Sequence, residues 1–260
     1  MPEEILSPRE KRRYTKQIMI PEIGLAGQEK LRQASVLVVG AGGLGCPVLQ
    51  YLAAAGIGRL GLAEFDMVSE ENLQRQILYG SGDVGKLKSI IARERVEHLN
   101  SYVNIQVFNL RIDETNALQI FSGFDIIVDA TDNIPTRYVI NDACVILDKP
   151  MVHGAIYKFE GEVAVFNYLG GPTYRCYNPP DRAEHRRNPL PANTGIPGVL
   201  PGITGTYMAN EVVKIITGAG RVLGGRVLLF NIMENTFYSI TVKNIPGNHS
   251  ISEIGNYKTI

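Results

Sequence analysis

Apolar and polar positions follow two rhythms along this chain. Ser35-Val36-Leu37-Val38-Val39 is a short apolar run rich in β-branched residues, the pattern of a parallel strand covered on both faces. Arg59–Glu64, Val103–Phe108 and Asp125–Asp129 read as three further strands. Cys46–Ala55, stopped by Gly56, and Asp83–Asn100 carry helical spacing between them. This alternation predicts an α/β fold with a Rossmann-like, doubly wound, mostly parallel sheet. Ahead of it, Ser7-Pro8-Arg9-Glu10 reads as a capping box opening a helix through Ile18, and a second short helix precedes Ser35.

The rhythm changes after Met151. Met151–Tyr157 and Glu162–Tyr168 read as strands joined by a turn at Phe159-Glu160-Gly161, an antiparallel extension of the sheet. Residues 170–198, rich in Pro, Asn, Arg and Gly, read as a long loop of the kind that carries function. Thr204–Thr217 reads as a helix stopped by Gly218, and Leu223–Asn231 with Thr236–Val242 as a closing hairpin. The whole chain is expected to be a single domain. It comprises N-terminal helices (7–33), a nucleotide-binding half (35–150), a second half (151–245) and a tail (246–260).

Composition narrows the function classes. Lys+Arg and Asp+Glu both number 26, so bulk charge recruits neither nucleic acid nor an anionic membrane. Met1-Pro2-Glu3-Glu4 lacks the basic start and apolar run of a signal peptide, and no stretch of 18 apolar residues predicts a membrane span. Three cysteines, Cys46, Cys144 and Cys176, are an odd, sparse set that speaks against a disulfide scaffold and fits a cytoplasmic protein.

Gly40-Ala41-Gly42-Gly43-Leu44-Gly45 follows the first strand and opens a helix. Such glycines let the backbone approach phosphate, and a helix N-terminus favours anions. Glu64, at the end of the second strand with Asp66 close behind, stands where a carboxylate binds ribose hydroxyls. These features fit NAD and ATP equally. The following segments favour a triphosphate: Asn72-Leu73-Gln74-Arg75-Gln76 and Gly85-Lys86-Leu87-Lys88 place Arg75 and Lys88 where attack at phosphorus builds negative charge. Thr131-Asp132-Asn133 follows the fourth strand, and Asp132 suits Mg²⁺, a hard ion that takes carboxylate and phosphate oxygens.

Together with Asp129-Ala130-Thr131-Asp132-Asn133, Arg137, Gly154-Ala155 and Glu160-Gly161, these motifs make the sequence resemble the MoeB/ThiF/HesA family, relatives of ubiquitin-activating enzymes. The likeness runs from Arg13-Tyr14 to about Pro246-Gly247. It implies an adenylyltransferase with ATP and Mg²⁺ as cofactors. The C-terminal Gly-Gly carboxylate of a ubiquitin-like sulfur carrier, MoaD-like or ThiS-like, would attack the α-phosphate and release pyrophosphate in molybdopterin or thiamine biosynthesis. It also implies roles. Gly40, Gly42, Gly43 and Gly45 form the phosphate turn, Glu64 and Asp66 lie at the ribose, Asn72 and Arg75 lie at the phosphates, Lys88 stabilises the α-phosphate, and Asp132 holds Mg²⁺ beside Asn133. The second half becomes the carrier-binding half, with a crossover loop.

The family is homodimeric, with a basic residue of one copy's N-terminal helix entering the other's site. Here Arg13-Tyr14-Thr15-Lys16-Gln17 puts Lys16 where Arg is usual, keeping charge but losing the bidentate fork. Many members bind structural zinc through two Cys-x-x-Cys pairs. This chain reads Thr173-Tyr174-Arg175-Cys176 and Asn248-His249-Ser250-Ile251 there, so no zinc is expected and apolar packing must hold the C-terminal hairpin. Leu190–Gly195 lacks the cysteine of members that relay sulfur. Cys176 is either a stranded ligand or a reactive thiol; Cys46 and Cys144 read as packing residues. Arg182, Arg186 and Arg187 either steer an acidic carrier or form a solvated charge run. His153, at a strand end, reads as structural. Competing readings are adenylation of a peptide or modified-nucleoside carboxylate, a non-catalytic module holding a ubiquitin-like partner, and a nicotinamide oxidoreductase.

Overall fold

A computed structural model of the chain describes residues 5–180 and 195–257. Eight strands among them form one sheet in the order β3-β2-β1-β4-β5-β6-β7-β8. The strands are β1 (Ser35–Val39), β2 (Arg59–Ala63), β3 (Asn104–Phe108), β4 (Ile126–Asp129), β5 (Met151–Tyr157), β6 (Glu160–Phe166), β7 (Arg226–Asn231) and β8 (Thr236–Thr241). β3 through β5 are parallel, and β5 through β8 are antiparallel. β2 lies on one side of β1 and β4 on the other. The carboxyl ends of β1 and β4 therefore flank the crevice where such sheets take ligands.

Alternation within β1 divides the core. Val36 and Val38 face a layer built with α4 (Gly45–Ala55), α5 (Lys88–Leu99) and α9 (Val199–Thr217). Leu37 and Val39 face α6 (Ala117–Ser122) and α7 (Ile134–Ile146). Burial on both faces is why the strand reads as a continuous apolar run. α9 lies so close to the start of α4 that a Cβ on Gly205 would come within 2.5 Å of the Leu44 carbonyl oxygen and of Pro47.

Several expected boundaries moved for local reasons. The capping box at Ser7 forms, but the first helix breaks at Tyr14 into α1 (Pro8–Arg13) and α2 (Thr15–Ile18), and buried Tyr14 accepts a hydrogen bond from Asn100. α3 (Gly24–Gln33) follows. The helix read from Asp83 starts at Lys88 instead. Gly85 takes φ +81°, and residues 86–88 bond back to Asp66 and Val68 as a strand-like bridge. The β5–β6 turn falls at Lys158-Phe159, so β6 begins at Glu160. The expected loop 170–198 contains a one-turn helix, α8 (Tyr174–Tyr177). α9 begins at Val199, with Pro201 in the first turn, where an N–H is not needed. Residues 181–194, which include Arg182, Arg186, Arg187 and most of Leu190–Gly195, lie outside the described residues.

The segment expected as a tail is docked. Tyr257 is buried, stacks on Tyr138 at 5.1 Å between ring centroids, and donates its phenol to the fully buried Asp142. Asp142 also accepts from Arg175 Nε at 2.9 Å and from the Gly255 N–H at 3.1 Å. A polar clasp thus joins the C-terminal segment to α7 and α8. Cys176 Sγ accepts from Ile245 N and Asn248 Nδ2, both at 3.4 Å. No three His, Cys, Asp or Glu side chains converge on a metal position among the described residues.

Candidate active site

A cavity of about 1510 Å³ opens at the carboxyl ends of β1, β2 and β4 and extends over β5 and β6. Its wall begins with the glycine turn. Gly40 adopts φ +96°, a left-handed conformation that disfavours a side chain, and its missing Cβ would meet the Ala130 carbonyl at 2.8 Å. Gly42 and Gly43 line the cavity. Gly45 does not; it lies against the Gly40 carbonyl, so its role is packing. The Ala41 peptide is held from both sides. Its N–H donates to Glu64 Oε2 at 2.8 Å, and its carbonyl accepts from Tyr79 Oη at 2.9 Å and Cys46 Sγ at 3.4 Å. Burial pushes the Cys46 thiol up to about 12, which leaves it a protonated donor and no nucleophile.

Glu64 is buried and already accepts three backbone N–H groups, from Ala41, Phe65 and Asp66. A carboxylate offers about four lone-pair sites, so one remains for a ribose hydroxyl. Lys88 is buried at the first position of α5, and Asp66 Oδ2 lies 3.3 Å from its Nζ. The helix N-terminus adds to its positive field. Arg75 is half-buried on the wall, anchored by a 3.1 Å bond to the Glu71 carbonyl. Asn72 accepts from Gln76 Nε2 at 2.7 Å. The buried Gln76 Oε1 has no partner among the described residues.

Asp132 is exposed on the cavity wall and forms no hydrogen bond or ion pair with any described residue. Its neighbour Asn133 caps α7, accepting the Thr136 N–H at 3.0 Å. Of the expected residues, the structure therefore gathers Gly40, Gly42, Gly43, Glu64, Asp66, Asn72, Arg75, Lys88, Asp132 and Asn133 around one cavity. Lys16 is exposed on α2 and does not line the cavity of its own chain.

The ThiF family profile matches residues 14–249. The chain belongs to the ThiF family. A protein of Thermus thermophilus named sulfur carrier protein adenylyltransferase is 47% identical to this ThiF-family chain over 242 residues, covering 90% of it and 88% of that protein. A protein of Porphyra purpurea named "Probable molybdopterin-synthase adenylyltransferase" is 47% identical over 225 residues. Those cover 86% of this chain but only 59% of that protein. Escherichia coli MccB, in a crystal structure with ATP, superposes with a TM-score of 0.80 at 22% identity, over 98% of this chain and 77% of that one. The last likeness speaks for the fold.

In this ThiF-family site, sequence reasoning read His153 as structural but missed the buried cluster it joins on the floor. Asp129, fully buried at the end of β4, faces His153 of β5 at 2.8 Å, and His153 Nε2 lies 3.1 Å from Glu162 Oε1 on β6. Burial opposes charge on both carboxyls. The hydrogen bond to His153 and the Arg137 charge outweigh it and hold Asp129 below its ordinary value; the bonds to His153 and Tyr177 do the same for Glu162. Burial would lower His153, but bonds from its two ring nitrogens to two carboxylates outweigh that and raise it. Asp129 and His153 are register partners. That pairing is visible only once β4 and β5 are known to be neighbours.

Proposed function

We propose that this protein adenylates the C-terminal Gly-Gly carboxylate of a ubiquitin-like sulfur-carrier protein with Mg-ATP, releasing pyrophosphate. The carrier is MoaD-like or ThiS-like, the pathway molybdopterin or thiamine biosynthesis, and the compartment the cytoplasm. The observation that carries this reading is the meeting of the glycine turn, Arg75, Lys88 and the unpartnered Asp132 in one cavity. The names of the relatives support it. So does size: about 1510 Å³ exceeds the roughly 300–1,000 Å³ of a usual small-ligand pocket, leaving room for a polypeptide end beside a nucleotide.

The residues fit the chemistry. A carboxylate oxygen of the carrier attacks the α-phosphorus, a mixed anhydride forms, and the bond to the bridging oxygen of pyrophosphate breaks. The carboxylate is its own nucleophile, so the protein need only position and stabilise charge. The glycine turn and the N-terminus of α4 receive phosphate oxygens, and Glu64 takes a ribose hydroxyl. Lys88 and Arg75 offset the charge growing at phosphorus. Asp132, a wall carboxylate with no described partner, fits Mg²⁺, which is usually held by one or two carboxylates plus substrate phosphates. When bound there, Mg²⁺ would neutralise phosphate charge. Lys16 of a second copy would add a cation in a homodimer, consistent with its exposure on α2.

The test is ATP–pyrophosphate exchange with a panel of MoaD-like and ThiS-like carriers, peptides and modified nucleosides. Exchange only with a carrier bearing a free Gly-Gly end is the expected result. Exchange with none of the carriers would remove the proposal, and exchange with another carboxylate would replace it.

A further inference from the structure

The adenylation proposed above uses none of the charged cluster at the cavity floor, of which Arg137 and Glu162 line the cavity. Its contacts form a continuous line. Tyr177 donates to Glu162 Oε2 at 2.9 Å; Glu162 Oε1 meets His153 at 3.1 Å; His153 meets Asp129 Oδ2 at 2.8 Å. Asp129 Oδ1 then accepts both the Thr131 N–H at 3.1 Å and the Thr131 hydroxyl at 2.5 Å. Arg137, on the first turns of α7, closes the line from above. Its Nη2 donates to the Thr131 carbonyl at 2.9 Å, and its Nε lies 3.6 Å from Asp129. Two carboxylates, Asp129 and Glu162, thus face the Arg137 guanidinium and the two ring nitrogens of His153.

Thr131 is therefore gripped at its N–H, its side chain and its carbonyl. The next residue is Asp132, which like Glu160 at the far side of the cavity is a wall carboxylate with no partner among the described residues. A strand-end core needs none of this for stability alone, because replacing buried ionic groups with apolar packing is often neutral or stabilising. The cluster does provide rigidity across three strands at one peptide. At its other end, Glu162 and the adjoining Tyr174 line the part of the cavity over β6, beside the start of the crossover segment.

We infer that Asp129, Arg137, His153 and Glu162 are positioning residues that fix the Thr131–Asp132 turn, and so set how well Asp132 takes Mg²⁺ with ATP. This rests on the adenylation reading above, which makes Asp132 the metal-holding carboxylate. The residues act on Asp132 through Thr131, with Arg137 and Glu162 also lining the cavity.

The test uses the full chain and three variants, Thr131→Val, Glu162→Gln and His153→Gln. Thr131→Val deletes one hydrogen bond and keeps the shape, so it remains informative where the other two fold poorly. ATP affinity is titrated by calorimetry across Mg²⁺ concentrations, thermal unfolding is recorded in parallel, and the carrier's KM is taken from exchange. In each folded variant the Mg²⁺ concentration for half-maximal ATP binding should rise about fivefold to tenfold, within the range for residues that modulate a site without touching its ligand. Saturating Mg²⁺ should restore binding, and the carrier's KM should move less than about twofold. Lowered unfolding temperature with unchanged Mg²⁺ dependence would reduce the cluster to a structural element and overturn the inference. Wild type that binds ATP with no Mg²⁺ dependence would instead remove the adenylation reading, and this inference with it.

Discussion

Asp129 and Asp132 stand three residues apart on the same strand exit and have opposite surroundings. Asp129 is fully buried between His153, Arg137 and Thr131, with its oxygens committed to protein partners. Asp132 is exposed on the cavity wall with no described partner. A ligand needs unsatisfied lone pairs, whereas a scaffold needs satisfied ones. The site divides its carboxylates accordingly, and residue type alone does not tell the two classes apart.

The comparison breaks most visibly at Asp129. Asp129→Ala leaves the Arg137 and His153 charges buried without their counter-ion, so urea unfolding should show a loss of about 3–5 kcal/mol. A loss under about 1 kcal/mol would mean that water already reaches the floor. At the wall the sign of the comparison reverses. Asp132→Ala should lower carrier-dependent pyrophosphate exchange about 100-fold, near 2.7 kcal/mol of transition-state stabilisation, with an unchanged unfolding midpoint. Unfolding that drops together with activity would place Asp132 among the scaffold residues.

Acidity gives a finer probe of the floor. His153 is raised in the fold, so its contribution is fully present below its unfolded value of 6.5 and is lost as pH rises through the raised native value. Asp129 and Glu162 are lowered, so theirs is present above ordinary carboxyl values and is lost as pH falls through the lowered ones. The stability difference between wild type and His153→Gln should therefore be largest in mildly acidic buffer and shrink on the alkaline side. A difference that stays flat across that range would remove the imidazolium from the cluster. The smallest effect belongs to the clasp at Asp142. Tyr257→Phe deletes one donor among several and should reduce stability by about 1 kcal/mol in the same unfolding measurement.

The wall was legible in the sequence because its chemistry is local. A glycine turn after an apolar strand, an acidic residue at the next strand end and cations a fixed distance beyond are each short-range patterns. β1 and β5 fell where their apolar runs put them. The floor was not legible, because Asp129, His153 and Glu162 meet only through the register of three strands. The late start of α5 depends on a bridge between Met67 and Leu87, and the docking of Tyr257 on α7 spans 115 residues. Periodicity carries no information about such pairings. The early start of α9 was missed for a different reason: the helix was read from Thr204, beyond Pro201 and Gly202, although a first helical turn tolerates proline.

Gly205 carries a lesson for anyone reading a saturation screen of this gene product. Its backbone rides directly on the Leu44 carbonyl, with no room for even a methyl group. A growth-based scan would score it intolerant, as the adenylation proposal expects of Lys88, although it has no functional group to offer a substrate. Separating the two requires purified protein: one variant would stay folded and idle, and the other would never accumulate.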